Sequence, residues 1–162
     1  MNFEVDVSGE ELLSKNYSIC LANKDSLIKG FKFENNLVNI LCSKYGQNIY
    51  KYKKSRKEKA LFKIRLYCIA IYYLIKSLNF NGEISLNLCR DFQGKENDIR
   101  ENLKFLINKI KGVLLEDRIY FVKLDKTSNA HKYASLMRED IKNKMNIYIK
   151  INLKEFEEWL IK

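Results

Sequence analysis

The sequence predicts an α/β protein built on a mixed sheet, in which an antiparallel three-stranded meander is followed by parallel strands and helices cover both faces. Residues 2–7 alternate between apolar and polar side chains, as a half-buried strand does. Two β-rich runs, 17–22 and 26–33, follow and are separated by a turn of hairpin length. The order of strand, helix and strand between residues 84 and 124 is typical of a βαβ unit.

Two helices are predicted between the meander and the βαβ unit. The first covers 35–43, and the second runs from 55 to 78. Ser55 followed by Glu58 three residues later is a capping-box pattern, which places the start of the long helix. Apolar residues surround much of this helix, so we expect it to be largely buried.

The second half of the chain continues the alternation of strands and helices. A strand over 84–90 is followed by an amphipathic helix between Gly94 and Gly112. The next strand, 119–124, is nearly continuous in apolar residues, which predicts a central parallel strand covered on both faces.

The last part of the chain predicts a helix, a strand and a short closing helix. The turn 125–128 starts a helix, 146–151 is strand-like, and a short helix ends the chain. The residues that mark the two helices are Tyr133, Ala134, Met137 and Ile141, then Phe156 and Trp159. The chain contains no internal repeat or linker, so we predict one α/β domain spanning 1–162.

Composition suggests a polyanionic partner. The 162 residues carry a formal net charge of +10 and are 46% hydrophobic, enough for one full core. Clustered Lys and Arg gain affinity for nucleic acid by releasing counterions from phosphates. A proteome-wide bias toward Lys, Asn and Ile would explain the same composition equally well. The charge therefore predicts nucleic acid as a partner without choosing between RNA and DNA, and oligomeric state stays open.

Cysteine spacing and hydropathy point to a reducing compartment away from the membrane. The cysteines stand singly at 20, 42, 68 and 89, a pattern unlike a zinc ribbon or a disulfide framework. They are predicted to be reduced core residues. The most apolar stretch, 66–74, is too short to span a bilayer. We expect a soluble cytoplasmic protein.

Two aspartates on predicted strands form a candidate metal site. Asp6 lies on the polar side of the first strand, and Asp91 ends the strand 84–90 on the side of Ser85 and Asn87. If the strands are neighbours and the acids lie at matching heights, the carboxylates come within bridging distance. Mg²⁺ or Mn²⁺ would relieve their repulsion. Alternatively, Asp6 is an ordinary polar-face residue and Asp91 caps a loop.

Three segments resemble the ribonuclease H-like superfamily. Val5-Asp6-Val7-Ser8-Gly9 is similar to the Asp-x-Ser-Gly opening of several of its families, including the DUF3800 group. Asp91 falls at the end of the fourth strand, where the second catalytic aspartate of the superfamily lies. Residues 128–138 resemble the closing motif, a helix whose first turn faces the site. The resemblance implies a ribonuclease H-like fold and a divalent-metal-dependent nuclease with Asp6 and Asp91 as central ligands.

The resemblance also implies two further groups at the site. One is a carboxylate from the first long helix, for which Glu58 is the candidate, although its capping position already explains it. The other is an acid or histidine near the last helix, where His131 could act as a ligand or as a proton shuttle. No acid lies between 129 and 132. The substitutes considered are Glu96, Asp125, Glu139 and Asp140, with Glu96 preferred because it follows Asp91 closely at a helix start.

A basic tract precedes the long helix and is the candidate phosphate contact. Tyr50 and Tyr52 are interleaved with it and could stack on bases. The charged residues of the tract are Lys51, Lys53, Lys54, Arg56, Lys57 and Lys59. Alternatively, the tract is a solvent-exposed loop and the first turn of a helix with no binding role, which would have the same composition.

Three functions remain in competition. The first is the metal-dependent nuclease, with Asp6, Asp91 and His131 as catalytic residues. The second is a non-catalytic α/β domain that binds nucleic acid or a protein through its basic surface. The third is a subunit of a larger assembly, held by exposed aromatic residues that include Tyr148 and Trp159.

Overall fold

The computed structural model describes residues 1–14 and 16–161. Its strands are β1 (Asn2–Ser8), β2 (Ser18–Ala22), β3 (Ile28–Lys32), β4 (Gly82–Glu83), β5 (Ser85–Cys89), β6 (Val113–Leu114) and β7 (Ile119–Val122). Its helices are α1 (Asn35–Gly46), α2 (Arg56–Lys76), α3 (Glu96–Ile107), α4 (Asn129–Glu139) and α5 (Leu153–Glu157).

The main sheet has five strands in the order β3-β2-β1-β5-β7. β1, β2 and β3 form an antiparallel meander, whereas β5 pairs parallel with both β1 and β7. β4 and β6 form a small separate parallel pair. The predicted mixed sheet is confirmed, and its order is that of a ribonuclease H-like arrangement. Asp6 on β1 therefore lies beside β5, and Asp91 lies in the segment that follows β5.

Helices cover the two faces of the sheet unequally. The main core joins α2 and α3 to apolar side chains of the sheet such as Phe3 and Val5. α4 packs on the other face against β1, β2 and β3, where Cys20, Ala134 and Met137 form a smaller cluster. The alternation in β1 thus buries its apolar side under α2 and turns its polar side toward α4.

α2 runs antiparallel to β1 and β5, so its amino-terminal half lies at the carboxyl edge of these strands. Ser55 caps the helix by accepting a hydrogen bond from the backbone N–H of Glu58 at 3.1 Å. About two turns into the helix, Lys63 forms an ion pair with Glu11 in the loop that follows β1. The helix is buried over most of its length, as its sequence predicts. Its basic first turn therefore extends beyond this edge of the sheet, on the face opposite α4.

The prediction that strand 119–124 is central is wrong, because β7 forms an edge of the sheet. Tyr120 is 52% exposed there. The carbonyls of Ile119 and Phe121, which point away from β5, accept hydrogen bonds from Arg100 and Arg90 at 3.2 and 3.3 Å. These two bonds occupy acceptors that would otherwise be open to another strand.

The chain closes by returning to the opposite edge of the sheet. Of the predicted strand 146–151, only Tyr148 forms a bridge, parallel to Gly30 in β3. The N–H of Gly30 donates to the carbonyl of Ile147 at 2.9 Å, and the N–H of Ile149 donates to the carbonyl of Gly30 at 2.8 Å. The last segment therefore extends the sheet beyond β3, which leaves β7 uncovered on the other side.

Several side chains differ from their predicted environment. Cys42 is exposed, whereas Cys20 and Cys68 are buried as predicted. Ile141 lies beyond α4 and is 83% exposed. Tyr148 and Trp159, predicted as exposed, are only partly accessible and pack against the two clusters of the core. Across the described ranges 1–14 and 16–161, no helix has the length and apolar character needed to cross a membrane.

Candidate active site

The pairing of β1 with β5 decides which residues stand beside Asp6. Val5 is paired with Leu88 in this parallel ladder, and one further step places Asp6 level with Cys89. Asp91 is two residues beyond Cys89, about 7 Å further along the strand direction. The predicted adjacency of the strands is confirmed, but the acids are not at matching heights. A thiol occupies the position where the prediction placed the second carboxylate.

Asp6 is a buried acid whose two oxygens both have partners. Its Oδ1 accepts the backbone N–H of Val7 at 2.8 Å, and its Oδ2 lies 2.9 Å from Nδ1 of His131. The Asp6 side chain is 13% exposed, and the His131 ring is 42% exposed. The Asp6 carboxylate is thus fixed by two hydrogen bonds, and the partner of its Oδ2 is a partly exposed histidine.

The start of α4 places His131 over Asp6. Ser128 caps this helix, and its Oγ accepts the N–H of His131 at 3.4 Å while donating to Oε1 of Glu4 at 3.0 Å. Asn129 donates to the carbonyl of Asn23 at 2.8 Å. These bonds attach the first turn of α4 to β1 and to the end of β2. The predicted closing helix therefore faces the site through its first turn.

The proton of the His131 ring is assigned by its partner. An ionised carboxylate can only accept hydrogen bonds, so Nδ1 must carry the proton that is shared with Asp6. In the neutral ring, Nε2 is then the free acceptor.

Asp91 lies beyond the end of β5 and is held by a buried tyrosine. The hydroxyl of Tyr17, at the start of β2, donates to Asp91 Oδ2 at 2.7 Å. Burial, and then the hydrogen bond to Asp91, hold the pKa of Tyr17 far above its ordinary value, so the phenol stays protonated. Asp91 itself is exposed. One of its oxygens is therefore fixed while its carboxylate still faces solvent.

A second buried tyrosine from α2 faces the same place. Tyr67 is fully buried, and its hydroxyl has no hydrogen-bond partner among the residues that the structure describes. Burial holds its pKa well above the ordinary value, and its ring packs against Phe92, the residue after Asp91, with centroids 4.8 Å apart. The helical apolar pattern hid this residue, because a tyrosine inside a buried helix resembles ordinary core.

Cys89 lies between the two aspartates. Its pKa is raised to about 12 by burial, then by the negative charges of Asp6 and Asp91. Both carboxylates thus act on one thiol, which places them at the same edge of the sheet although they are not level. At neutral pH this thiol remains protonated.

Glu58 and Glu96 do not join the aspartates in a metal-binding cluster. Within 1–14 and 16–161, no group of three or more His, Cys, Asp or Glu side chains is arranged to hold an ion. Glu58 lies nine residues before Tyr67, about 13 Å along the helix axis. Glu96 occupies the first position of α3, where a negative charge is favourable at the helix start. Both residues thus have structural explanations.

The basic tract is exposed and free of ion pairs. Lys51, Lys53, Lys54, Arg56, Lys57 and Lys59 are all exposed. None of the six takes part in a salt bridge with the described residues. Tyr50 and Tyr52 are not available for stacking on bases as predicted, because both pack on Phe62 and Tyr50 is only 2% exposed. The tract therefore offers charge without aromatic surface.

The donor set at the carboxyl edge fits a hard cation that keeps most of its waters. Mg²⁺ is commonly bound by one or two carboxylates together with waters and substrate phosphates. Asp6 and Asp91 supply two carboxylates, each with lone pairs beyond the hydrogen bonds described above. The same pair is too few for a closed four-ligand zinc site. The two carboxylates are thus a partial ligand set of the kind that Mg²⁺ or Mn²⁺ accepts, and the described residues 1–14 and 16–161 add no third protein ligand to it.

Comparison with known proteins adds no relative. No protein-family model matches the chain, and no curated protein matches it either. Its function is therefore argued from the fold and from the residues at the carboxyl edge.

Proposed function

We propose that the protein is a nuclease of ribonuclease H-like type that uses Mg²⁺ or Mn²⁺ to hydrolyse phosphodiester bonds. One observation carries the proposal: Asp6 on β1 lies 2.9 Å from His131, and Asp91 follows the neighbouring parallel strand β5, so three separate segments share the carboxyl edge of these strands. In the fold they occupy, this edge is formed by the strands that the resemblance assigns to the metal ligands. The resemblance to the superfamily, including the DUF3800 group, remains part of this proposal.

The basic tract supports a polyanionic substrate. It lies at the amino-terminal end of α2, toward the carboxyl edge of β1 and β5 but on the face of the sheet opposite α4 and His131. Its charges are unpaired within the described part of the chain, and the positive end of the helix dipole adds to them. A nucleic-acid backbone bound along the tract would have to cross this edge of the sheet to reach the Asp6–His131 pair. The positive field would also offset the repulsion between phosphate and carboxylates.

The residues of the site divide the chemical work. Asp6 and Asp91 supply carboxylate oxygens, and a cation bound there would activate a water and stabilise the leaving oxygen. Asp6 also holds His131 in the tautomer that leaves Nε2 free. His131 can then carry a proton between the reacting groups and solvent, because its ring is 42% exposed.

A metal titration and a cleavage assay test the proposal together. Mn²⁺ should raise the melting temperature of the wild-type protein, and Asp6→Asn should abolish this rise. Single-stranded, double-stranded and hybrid substrates should be cut by the wild type with Mn²⁺ and left intact by Asp6→Asn and Asp91→Asn. Glu101→Gln, which removes an exposed acid on α3, is the matched control and should behave as the wild type.

The second candidate is a non-catalytic nucleic-acid-binding domain. It is favoured by the absence of a three-ligand cluster within the described residues and by the hydrogen bond that His131 makes to Asp6. Such a domain would bind nucleic acid through the basic tract and remain indifferent to Mn²⁺. If the protein binds nucleic acid in a salt-sensitive way, but neither cleaves it nor shows a Mn²⁺-dependent shift in melting temperature, the second candidate is correct and the nuclease proposal is wrong.

A further inference from the structure

Two buried tyrosines from distant segments flank Asp91. Tyr17 precedes β2 and Tyr67 lies in the middle of α2, and both are fully buried. The hydroxyl of Tyr17 lies 2.7 Å from Asp91 Oδ2, and the ring of Tyr67 packs against Phe92, the residue after Asp91, with centroids 4.8 Å apart. α2 therefore brings a buried phenol beside the segment that carries Asp91.

Tyr17 restricts the position of the Asp91 carboxylate. Its hydroxyl donates to Oδ2 at 2.7 Å, a short bond of the kind that an ionised acceptor makes. Tyr17 cannot move freely, because its ring packs against Phe33 in the main core with centroids 6.4 Å apart. With Oδ2 engaged, Oδ1 is the oxygen left for another ligand.

Tyr67 brings an unsatisfied hydroxyl to the same place. Buried hydroxyls in native proteins almost always have a partner, so an orphan requires one. The group is too buried to touch a substrate directly. A water between Tyr67 and the segment of Asp91 would give the Tyr67 hydroxyl a partner. A buried water needs several polar neighbours, and this place offers a phenol and a carboxylate.

We propose that Tyr17 and Tyr67 are positioning residues that hold Asp91 for a divalent cation, Tyr17 by a direct hydrogen bond and Tyr67 through a bound water. The inference rests on the proposed metal-dependent function and names two residues that support its second ligand. Residues that hydrogen-bond to a metal ligand commonly affect the affinity for the metal, and their loss weakens metal binding by about 10- to 100-fold.

The competing explanation is that the two tyrosines only fill the core. In that case, Tyr→Phe substitutions would change thermal stability and leave cation affinity unaltered. Mn²⁺ affinity is therefore the informative quantity, since a packing role does not affect it. Tyr73→Phe is the matched control, because Tyr73 is a buried tyrosine of the same helix whose hydroxyl bonds the carbonyl of Glu155 at 3.3 Å, away from the site.

The experiment measures Mn²⁺ dissociation constants by calorimetry for the wild type, Tyr17→Phe, Tyr67→Phe and Tyr73→Phe. We expect Tyr17→Phe to raise the constant about tenfold or more, Tyr67→Phe to raise it by less, and Tyr73→Phe to leave it unchanged. In an Asp91→Asn background, Tyr17→Phe should have no further effect, because both changes act through one carboxylate. A crystal structure of the metal-free wild type should show a water within about 3 Å of the Tyr67 hydroxyl.

The outcomes separate this inference from the proposed function. If the wild type binds Mn²⁺ and all three Tyr→Phe variants bind it equally well, the positioning role is wrong and the nuclease proposal stands. If the wild type binds no Mn²⁺, the proposed function fails in the first titration and the positioning role fails with it. A metal-free structure without water at Tyr67 overturns the water-mediated part alone.

Discussion

The carboxylate of Asp6 and the imidazole of His131 lie 2.9 Å apart, although 125 residues separate them in the sequence. The contact joins the middle strand of the sheet to the first turn of α4. It explains how a buried acid can communicate with solvent, because the histidine ring is partly exposed. The pair is the best-defined element of the candidate site.

The role of His131 can be tested by removing its proton-carrying capacity. We expect His131→Gln to lower the rate of phosphodiester cleavage by about 10²-fold, because the amide can still donate to Asp6 but cannot accept and release a proton. Mn²⁺ affinity should stay near that of the wild type. The measurement is kcat beside a calorimetric titration, with the exposed neighbour Lys132→Ala as control. An unchanged kcat would remove His131 from the mechanism.

The basic tract should determine the salt dependence of nucleic-acid binding. Lys53→Ala with Lys57→Ala should weaken binding to a single-stranded oligonucleotide. It should also reduce the slope of log K against log salt by about 1.4, which is 0.7 for each lost phosphate contact. Lys109→Ala with Lys111→Ala removes the same charge near the opposite end of the sheet and should leave the slope almost unaltered. Equal slopes for both double variants would mean that the tract is not the contact surface.

The helix cap at Ser128 should affect both stability and the site. Ser128→Ala removes the cap of α4 and the bond to Glu4, and we expect the free energy of unfolding to fall by about 1 kcal/mol. Because the same cap places His131 over Asp6, cleavage should slow as well. Ser55→Ala removes the equivalent cap of α2 and should lower stability without slowing cleavage. A Ser128→Ala enzyme with wild-type kcat would show that the cap does not position His131.

Asp140 should make the fold sensitive to acid. The backbone N–H groups of Met145 and Lys144 donate to its carboxylate and hold its pKa below 3.8, with Tyr148 adding a third bond. A depressed folded-state pKa contributes stability above the unfolded-state pKa, and this contribution is lost as pH falls through the folded-state value. Asp140→Asn should therefore destabilise the protein at pH 7, and the difference from wild type should shrink below pH 3.8. Chemical denaturation of both proteins at several pH values measures this difference in the free energy of unfolding.

Thiol labelling should report the geometry around Cys89. Burial and the two aspartates raise its pKa to about 12, whereas Cys42 is exposed. Iodoacetamide at pH 7.5 should therefore modify Cys42 first and Cys89 much more slowly, since the thiolate is the reacting form. Labelling sites and rates can be followed by mass spectrometry. Rapid labelling of Cys89 in the folded protein would contradict the burial and the raised pKa of this thiol.

The sequence alone determined the elements and their order, because local periodicity is a property of contiguous residues. Alternation revealed β1 and placed Asp6 on its polar side, and the cap at Ser55 marked the start of α2. The adjacency of β1 and β5 was a condition of the predicted site, and the sheet order meets it. These features depend on short segments, each of which must bury its own apolar side.

Tertiary structure alone decided which residues meet. The register of β1 against β5 placed Cys89 beside Asp6 and moved Asp91 beyond it. The packing of α2 placed Tyr67 against Phe92, next to Asp91, and left Glu58 in the first turn of the helix. Register and helix rotation are set by the packing of the whole core, where many contacts from distant segments are satisfied together, so no local pattern encodes them.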